Sequence, residues 1–427
     1  MMLYLETYGC AANRSHGEVM KGILQKGGCD ITENEELADV LVLNSCIVKT
    51  PTENKIVHKL KRWQEDYPDK KIIVSGCMPQ ADYSKTVDVV PEASLVGPNN
   101  CRDITKAVRK TMEGERVEYL DEKKEDRFCL PRIRENDLIG IVEIAQGCCG
   151  NCSYCQVKFA KGELKSYESD SIVDEVKRSL RSGCKEIWLT TQDTASYGTD
   201  IGTSLPELLE KIVKVPGKFR VRIGMMNVDT LQPILEELAE VYGSDKIYSF
   251  LHLPLQSGSN RILEEMNRRY TVEEFKKVVE RFRDSVPELN LWTDIIVGFP
   301  SENENDFKRT VETVEEIKPD RVNVSRFGLR PGTRAESLDD KRSEETKKIR
   351  SRKLSDLTRE IRTDRLKNFV GEDREVLILG KNKRVWKGKD GTYRNVLVEN
   401  GKNVKGSFRK VEIKSCGVSG LVGSISY

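Results

Sequence analysis

Short apolar runs and amphipathic stretches alternate over residues 1–115. Unbroken apolar runs of three or four residues are typical of strands buried on both faces, whereas apolar residues three or four positions apart predict helices. The pattern predicts strands at residues 3–6, 40–43, 72–74 and 94–96, and helices at residues 16–24, 53–63 and 103–112. This alternation predicts a doubly wound, Rossmann-like α/β domain with a parallel sheet.

Six further strand-and-helix units follow between residues 136 and 340. Strands are predicted near residues 140–145, 186–190, 220–225, 247–253, 291–297 and 321–327, and helices near residues 171–182, 205–213, 231–241, 272–283 and 304–317. Eight such units close a full barrel, so six predict a partial (βα)6 barrel. The chemistry of such barrels takes place at the C-terminal ends of the strands.

The pattern changes on either side of this barrel. The highly charged residues 116–135 predict a linker from the N-terminal domain. Residues 341–367 carry apolar side chains at helical spacing and predict a linking helix that docks on the barrel. Over residues 368–427, short strands predicted at 375–379, 393–398, 410–413 and 421–424 are separated by glycines, which is typical of a small β-barrel.

Composition restricts the class of protein. The 427 residues contain no stretch of eighteen apolar residues, and the chain begins without a basic region followed by an apolar one. We therefore expect a cytoplasmic protein with no membrane partner. Twelve cysteines without an export signal indicate a reducing compartment, where thiols bind metal or are buried.

Charge is unevenly distributed, although the net charge is only +2. Residues 341–427 hold 23 Lys and Arg against 11 Asp and Glu, whereas residues 1–340 hold 48 against 58. A basic C-terminal module favours a nucleic-acid partner, although a solvated basic surface would have the same composition. Basic and aromatic residues interleave there, which suits phosphates and unpaired bases: Lys383, Arg384, Trp386, Lys387, Tyr393, Arg394, Phe408, Arg409 and Lys410.

Three cysteines follow the first predicted strand of the barrel with the spacing Cys-x3-Cys-x2-Cys: Cys148, Cys152 and Cys155. Three thiolates on a four-iron cluster leave one iron open to bind another ligand. A structural zinc site needs four ligands, commonly two separated Cys-x2-Cys pairs, and the chain has no second separate pair. The spacing therefore favours an iron-sulfur cluster, with Cys149 as a possible competing ligand.

Cys10, Cys46 and Cys77 each come just after the end of a predicted N-terminal strand. The carboxyl ends of parallel strands meet at one edge of a sheet, where ligands bind. A lone cysteine there is normally a small buried apolar residue. Three at equivalent strand ends, each beside a glycine or serine, predict a second three-cysteine cluster site.

The Cys-x3-Cys-x2-Cys spacing resembles the signature of the radical S-adenosylmethionine (SAM) enzymes. Residues 6–13 (ETYGCAAN), 44–49 (NSCIVK) and 75–79 (SGCMP) resemble the N-terminal domain of the methylthiotransferases. The resemblance implies two 4Fe-4S clusters, one on each cysteine trio, with SAM as co-substrate on the open iron of the barrel cluster. It also implies that the open iron of the N-terminal, auxiliary cluster carries the sulfur to be inserted.

The resemblance further implies a set of SAM contacts at the strand ends: Tyr154, Gln192, Ser257, Arg268 and Gly298. Gln192 would contact the methionine end of SAM, and the adenine would pack at Gly298 beside Tyr154. For any one of the strand-end segments alone, a helix cap or turn is the simpler interpretation. Arg220 and Arg222 alternate with apolar residues, and we expect them to contact phosphate or carboxylate at the barrel mouth.

Residues 157–167 (VKFAKGELKSY) resemble the archaeal and eukaryotic branch that acts on N6-threonylcarbamoyladenosine in the anticodon stem-loop of tRNA, and residues 368–427 resemble a TRAM domain. The implied reaction uses one SAM to methylate sulfur at the auxiliary cluster. A second SAM supplies a 5′-deoxyadenosyl radical, which takes hydrogen from adenosine C2 before the carbon radical takes the methylthio group. An electron donor and a sulfur donor are therefore needed as partners.

Two alternatives agree with the same residues. The first keeps the chemistry but changes the target to isopentenyladenosine in tRNA. The second is an RNA-binding protein whose cysteines hold structural zinc. The sequence departs from the family pattern at two positions. Cys149 stands where relatives usually carry an aliphatic residue, and Val228 stands where they usually carry proline. The three histidines, His16, His58 and His252, are expected to have packing roles.

Overall fold

The computed structural model describes residues 1–122, 126–339, 341–382 and 385–426. The N-terminal elements are β1 (Met2–Thr7), α1 (Ala11–Lys26), β2 (Asp30–Thr32), β3 (Val40–Ser45), α2 (Thr50–Asp66), β4 (Lys71–Gly76), α3 (Cys77–Ala81), α4 (Tyr83–Val89), β5 (Ser94–Val96), α5 (Ile104–Met112) and β6 (Glu118–Tyr119). The six strands form one parallel sheet in the order β2-β1-β3-β4-β5-β6. The Rossmann-like prediction is confirmed.

The N-terminal sheet has helices on both faces. Leu41 and Leu43 of β3 pack with α2, whereas Val40 and Val42 pack with α1 and α5 on the opposite face. A strand covered on both faces needs an unbroken run of apolar residues. Such a run in the sequence is what predicted β3. The sheet then directs the ends of β1, β3 and β4 to one edge.

The central domain is a partial (βα)6 barrel. Its elements are β7 (Ile139–Glu143), β8 (Ala145–Gln146), α6 (Val157–Lys161), β9 (Lys165–Ser166), α7 (Ser169–Arg181), β10 (Glu186–Thr190), α8 (Leu205–Val213), β11 (Arg220–Ile223), α9 (Val228–Leu231), α10 (Leu235–Val241), β12 (Phe250–His252), α11 (Asn260–Glu265), α12 (Val272–Ser285), β13 (Asn290–Val297), α13 (Glu304–Ile317) and β14 (Arg321–Arg326). The parallel sheets β11-β10-β7 and β12-β13-β14 are joined by a bridge between Val221 and Ile247. This architecture confirms the barrel prediction.

The barrel differs from the prediction in its short elements. The helix predicted at residues 231–241 is split into α9, a 3-10 turn at Gln232–Ile234 and α10. Pro233 causes this split, because proline has no amide hydrogen to continue the helical ladder. The short helices α3, α6 and α11 were not predicted. A helix of five or six residues is too short to show a helical period in the sequence.

The C-terminal module consists of a long helix and a closed barrel. Its elements are α14 (Glu344–Lys367), β15 (Asp373–Asn382), β16 (Val385–Asp390), β17 (Asn395–Val398), β18 (Phe408–Gly417) and β19 (Gly420–Ile425). The strands close in the order β15-β16-β17-β19-β18, which confirms the small β-barrel. The helix α14 packs on β14 and α13 through Leu354. β16 was not predicted, because its two lysines, Lys387 and Lys389, and Gly388 hide the alternation of apolar and polar residues.

Two residues predicted to contact RNA instead hold the C-terminal barrel on the central one. Tyr393 lies in a turn with φ 64°, and its ring packs against Tyr248, Phe250 and Trp292. Arg394 is buried and pairs with Asp320 at 2.7 Å. The prediction for both was therefore wrong, because composition does not show which face of a barrel is covered. Lys387, Arg409 and Lys410 are exposed, whereas Lys383 and Arg384 lie outside the described residues.

Within the described ranges, the model contains no helix with the length and apolar character that crossing a membrane requires.

Asp320 is expected to be the main polar anchor of the C-terminal module. Its carboxylate accepts from Arg394 at 2.7 Å, from Arg365 of α14 at 2.9 Å and from the Leu291 amide at 2.9 Å. Asp320→Ala leaves the buried Arg394 without its counter-charge, so the free energy of unfolding should fall by about 3–5 kcal/mol. Urea unfolding should show this loss, whereas the control Asp364→Ala, in an exposed pair with Lys367, should leave the curve unchanged.

Candidate active site

Cys10, Cys46 and Cys77 lie together at the carboxyl edge of the N-terminal sheet. Cys10 immediately precedes α1, Cys46 follows β3, and Cys77 begins α3 directly after β4. The Cys46 thiol lies beside Gly9 and accepts from the Val48 amide at 3.5 Å. Burial raises the pKa of Cys77 to about 12, and the neighbouring Cys46 and Cys10 contribute to that rise. The structure thus brings together the three cysteines that the sequence analysis grouped.

Asn13 ties these strand ends together, although the sequence analysis gave it no role. Its buried amide nitrogen donates to the carbonyls of Tyr8 at 3.1 Å and Ser45 at 2.7 Å, and its Oδ1 accepts from the Cys77 thiol at 3.6 Å. Gly9 has φ +114°, and a Cβ there would lie 2.7 Å from the Cys46 Sγ. Only glycine lets the chain pass so close to that thiol.

Cys148, Cys152 and Cys155 lie in a loop that leaves the barrel after β7 and returns at β9. Pairing of β8 with β9 closes the base of this loop, and α6 lies within it. The Cys148 amide donates to the Gly162 carbonyl at 3.2 Å, and the Cys155 amide to the Cys152 carbonyl at 3.1 Å. Cys152 lies close enough to the other two thiols to raise the pKa of each, secondary to burial.

Arg268 and Gln192 hold this loop at the edge of the barrel. Arg268 Nη1 donates to Cys152 Sγ at 3.2 Å, and its Nη2 donates to Asn227 Oδ1 at 2.6 Å. Gln192 Oε1 accepts from the Gly147 amide at 2.8 Å. Both side chains therefore orient the cysteine loop, and their contact with SAM stays a prediction.

The two cysteine trios are brought together by two short helices. The helix α6 begins two residues after Cys155, and it packs against α3, which begins at Cys77. Ala160 of α6 belongs to the apolar core of the N-terminal domain, beside Met78. The loop that follows the first barrel strand is thus part of the same interface as the edge of the N-terminal sheet.

Burial raises the pKa of four of the six thiols, those of Cys46, Cys77, Cys148 and Cys155. Burial, followed by the Asp193 carboxylate, raises the pKa of Cys148 to about 12. Burial and the neighbouring Cys10 raise the pKa of Cys46 to about 11. The Cys149 thiol lies beside Asp193 and Ser196, and its pKa is also raised, chiefly by burial. Metal binding must therefore displace protons from these thiols.

A buried group of charges lies behind the N-terminal trio and was missed by the sequence analysis. Glu143, at the end of β7, bonds His16 at 2.8 Å and Arg127 at 2.6 Å. Burial and Arg127 lower the pKa of His16 to about 3, so this imidazole is neutral. Lys161, at the end of α6, is 1% exposed, and its Nζ has no hydrogen-bond partner within the described parts of the chain.

Each trio offers three thiols, the donor set that suits a four-iron cluster with one open iron. Among residues 1–122, 126–339, 341–382 and 385–426, no three Cys, His, Asp or Glu side chains are gathered closely enough to hold one metal ion. A structural zinc takes four ligands. Backbone amides donate to the sulfurs, as Gly150 does to Cys148 at 3.2 Å.

Of the remaining predicted SAM contacts, Tyr154 lies within the cysteine loop, whereas Ser257 and Gly298 lie on other parts of the barrel. Tyr154 packs in an apolar cluster with Met266 and Phe299, and burial raises its pKa well above the ordinary value. Ser257 is buried, and its hydroxyl accepts from the Ser259 amide at 3.2 Å. Gly298 has φ +71°, and the stem of Lys347 occupies the space that a Cβ would fill. Adenine packing at Gly298 stays a prediction.

Arg220 and Arg222 have different surroundings, although the sequence analysis treated them alike. Arg220 pairs with Glu375 of the C-terminal barrel at 2.9 Å. Arg222 lies 5.4–5.7 Å from the centres of the Trp188, Phe250 and Tyr393 rings. Val221 and Ile223, the neighbours of Arg222 on β11, belong to the apolar core under the helices. Because successive side chains of a strand point to opposite faces, Arg222 faces the barrel interior.

Two family models match the chain. Residues 142–314 match the radical SAM superfamily, and residues 2–97 match the family described as Uncharacterized protein family UPF0004. The chain is 41% identical to the probable threonylcarbamoyladenosine tRNA methylthiotransferase of Methanothermobacter thermautotrophicus, over 96% of each protein. It is 37% identical to the human threonylcarbamoyladenosine tRNA methylthiotransferase, over 97% of this chain and 72% of the human protein.

Solved structures share the fold at low identity. The radical SAM methyltransferase TsrM from Kitasatospora setae, with tryptophan and a SAM analogue bound, has a TM-score of 0.57 and 15% identity, over 78% of this chain and 75% of that chain. The cobalamin-dependent SAM radical enzyme OxsB, with aqua-cobalamin and SAM bound, has a TM-score of 0.51 and 13% identity, over 82% of this chain and 56% of that chain. These similarities support the fold alone.

Proposed function

Because the chain belongs to the family of threonylcarbamoyladenosine tRNA methylthiotransferases, we propose that it converts N6-threonylcarbamoyladenosine in the anticodon stem-loop of tRNA to the 2-methylthio derivative. The observation that carries this proposal is the packing of α6 against α3. This contact supports the proposal, because α6 follows the loop that carries Cys148, Cys152 and Cys155, and α3 begins at Cys77.

The residues of this interface suit radical chemistry. The hydrogen on adenosine C2 is not acidic, so acid-base groups alone cannot replace it with sulfur. A cluster on Cys148, Cys152 and Cys155, when bound, supplies the electron that cleaves SAM to a 5′-deoxyadenosyl radical. The side chains of Arg268 and Gln192 fix the cysteine loop, and the burial of Cys46 and Cys77, though not of the exposed Cys10, limits the access of water to the N-terminal trio.

The reaction is tested with defined tRNA substrates. Under anaerobic conditions with SAM, sulfide and a reductant, the reconstituted enzyme should methylthiolate tRNA that carries N6-threonylcarbamoyladenosine. The same tRNA with isopentenyladenosine at that position should remain unmodified, as mass spectrometry of the digested nucleosides would show. Product on the isopentenyl substrate alone would establish the alternative methylthiotransferase. Protein that contains zinc and gives no product on either tRNA would establish the RNA-binding alternative.

We further propose that each trio holds its own 4Fe-4S cluster, with about eight irons per chain. The orphaned Lys161 and the close passage of Gly9 beside Cys46 support the N-terminal cluster. An unidentified electron donor and an unidentified sulfur donor serve the two centres.

Gly9→Ala is expected to abolish the N-terminal cluster selectively. In a chain that carries Cys148→Ala, Cys152→Ala and Cys155→Ala, the N-terminal trio alone should bind about four irons. Gly9→Ala should remove most of that iron, because its Cβ would meet Cys46. Gly28→Ala is the matched control, since Gly28 also has a positive φ but nothing lies within 4 Å of its Cβ. Equal iron in both variants, measured colorimetrically, would contradict this account.

Arg222 favours the threonylcarbamoyl substrate over the isopentenyl one. A threonylcarbamoyl group ends in a carboxylate, whereas an isopentenyl group is apolar and offers nothing to a guanidinium. The described residues give Arg222 ring contacts but no hydrogen bond or ion pair, so its donors are available inside the barrel. We propose that Arg222 binds the carboxylate of the modified base.

Arg222→Met should lower kcat/KM on threonylcarbamoyladenosine tRNA by about tenfold to a hundredfold, because one charged hydrogen bond contributes about 1.5–3 kcal/mol. Arg220→Met, which removes an arginine already paired with Glu375, serves as the control and should have little effect. Initial rates at limiting tRNA measure both. An unchanged kcat/KM for Arg222→Met would remove this residue from the substrate site.

A further inference from the structure

Lys161 is a buried cation without a partner. Its side chain is 1% exposed, and within the described ranges its Nζ has neither a hydrogen bond nor an ion pair. A buried ammonium is stable only when an anion or several acceptors surround it. The metal-free protein therefore has a cationic group whose natural counterpart is absent from the polypeptide.

The neighbouring charges do not balance Lys161. Glu143 is the nearby carboxylate, but it is already bonded to Arg127 and His16. Since Arg127 is cationic and His16 is neutral, Glu143 offsets Arg127 alone, and the ammonium of Lys161 is left as surplus positive charge.

The surplus charge faces the N-terminal trio. Lys161 is the last residue of α6, and this helix packs against α3, which begins at Cys77. Lys161 follows Ala160, which packs in the core under that trio, so the lysine reaches the N-terminal cysteines from the loop that carries Cys148, Cys152 and Cys155. An anionic group held by the N-terminal trio would supply the counter-charge that the Lys161 ammonium lacks.

We propose that Lys161 is the counter-charge for the anionic sulfur ligand at the open iron of the N-terminal cluster. This inference rests on the proposed function, because it requires a cluster on Cys10, Cys46 and Cys77. The ammonium binds the sulfur anion and stabilises the more negative, reduced state of the centre. It thereby links the barrel loop electrostatically to the sulfur that is transferred.

The experiment uses the full chain with Cys148→Ala, Cys152→Ala and Cys155→Ala, so that only the N-terminal cluster contributes to the signals. Hydrosulfide is titrated into the reconstituted protein and followed by electron paramagnetic resonance of the reduced cluster. Lys161→Met should weaken hydrosulfide binding by about tenfold or more. It should also shift the reduction midpoint to a more negative value, because a positive charge that favours the reduced state is gone. Lys161→Arg should retain both properties.

Stability of the metal-free protein separates this role from a structural one. Met replaces the unpaired ammonium with an apolar chain of similar length, so metal-free Lys161→Met should be at least as stable as the parent in urea. A less stable variant, or hydrosulfide binding and a midpoint like those of the parent, would overturn the inference. Lys177→Met, at an exposed position on α7, is the control and should change neither the affinity nor the midpoint.

The parent protein decides whether the cluster itself exists. If the chain with intact Lys161 binds no iron on the N-terminal trio, the second cluster of the proposed function is wrong. If Lys161→Met alone fails to bind iron, recovery in Lys161→Arg supports the need for a positive charge. Failure of both lysine variants to bind iron would overturn the role of Lys161 while leaving the parent cluster in place.

Discussion

The packing of α6 against α3 is the contact on which the proposed chemistry depends. Each helix has five residues, too few to be stable in isolation, so each depends on the other surfaces it packs against. One begins at Cys77 and the other begins two residues after Cys155. The contact that stabilises these short helices therefore also sets the relative position of the two cysteine loops, which neither domain could fix alone.

Buried ion pairs also join the N-terminal domain to the central barrel. The sequence analysis treated residues 116–135 as a linker, yet Arg127 and Arg132 from this segment are buried against both domains. Arg132 donates to Ser15 of α1 at 2.8 Å and pairs with Glu175 of α7 at 3.3 Å. Such pairs add little net stability compared with apolar packing, but leaving one unpaired is costly. They therefore favour one docking geometry over others, as a shared active site requires.

The strands and long helices could be predicted because burial on both faces or on one stripe leaves a regular pattern. Residues 186–190 and 205–213 were predicted with the observed bounds of β10 and α8. The cysteines could be found because spacing and strand ends are visible in the sequence. Asn13 and Lys161 could not, because their roles depend on contacts between segments distant in sequence, such as the bond from Asn13 to the Ser45 carbonyl. Likewise, an aromatic ring at Tyr393 suits both contact with RNA and packing between the two barrels. Only the fold shows that this ring is covered.

The C-terminal barrel restricts how a substrate reaches the site. Its turn at residues 390–393 docks at the start of β12, where the Ser249 amide donates to the Gly391 carbonyl at 3.0 Å. The Tyr393 ring also packs against Phe250, the first residue of β12, and against Trp292 of β13, so the C-terminal barrel is docked on these two strands.

Under the proposed function, the substrate base approaches from the edge of the barrel where the cysteine loops lie. The Arg222 guanidinium lies inside the barrel, 5.7 Å from the centre of the Tyr393 ring, where a base stacked within an anticodon loop cannot reach it. Under the proposed function, the modified adenosine must therefore leave its stack and enter the barrel as a single nucleotide. The energy of unstacking would then be offset by contacts with the interior, among them the proposed contact with the Arg222 guanidinium.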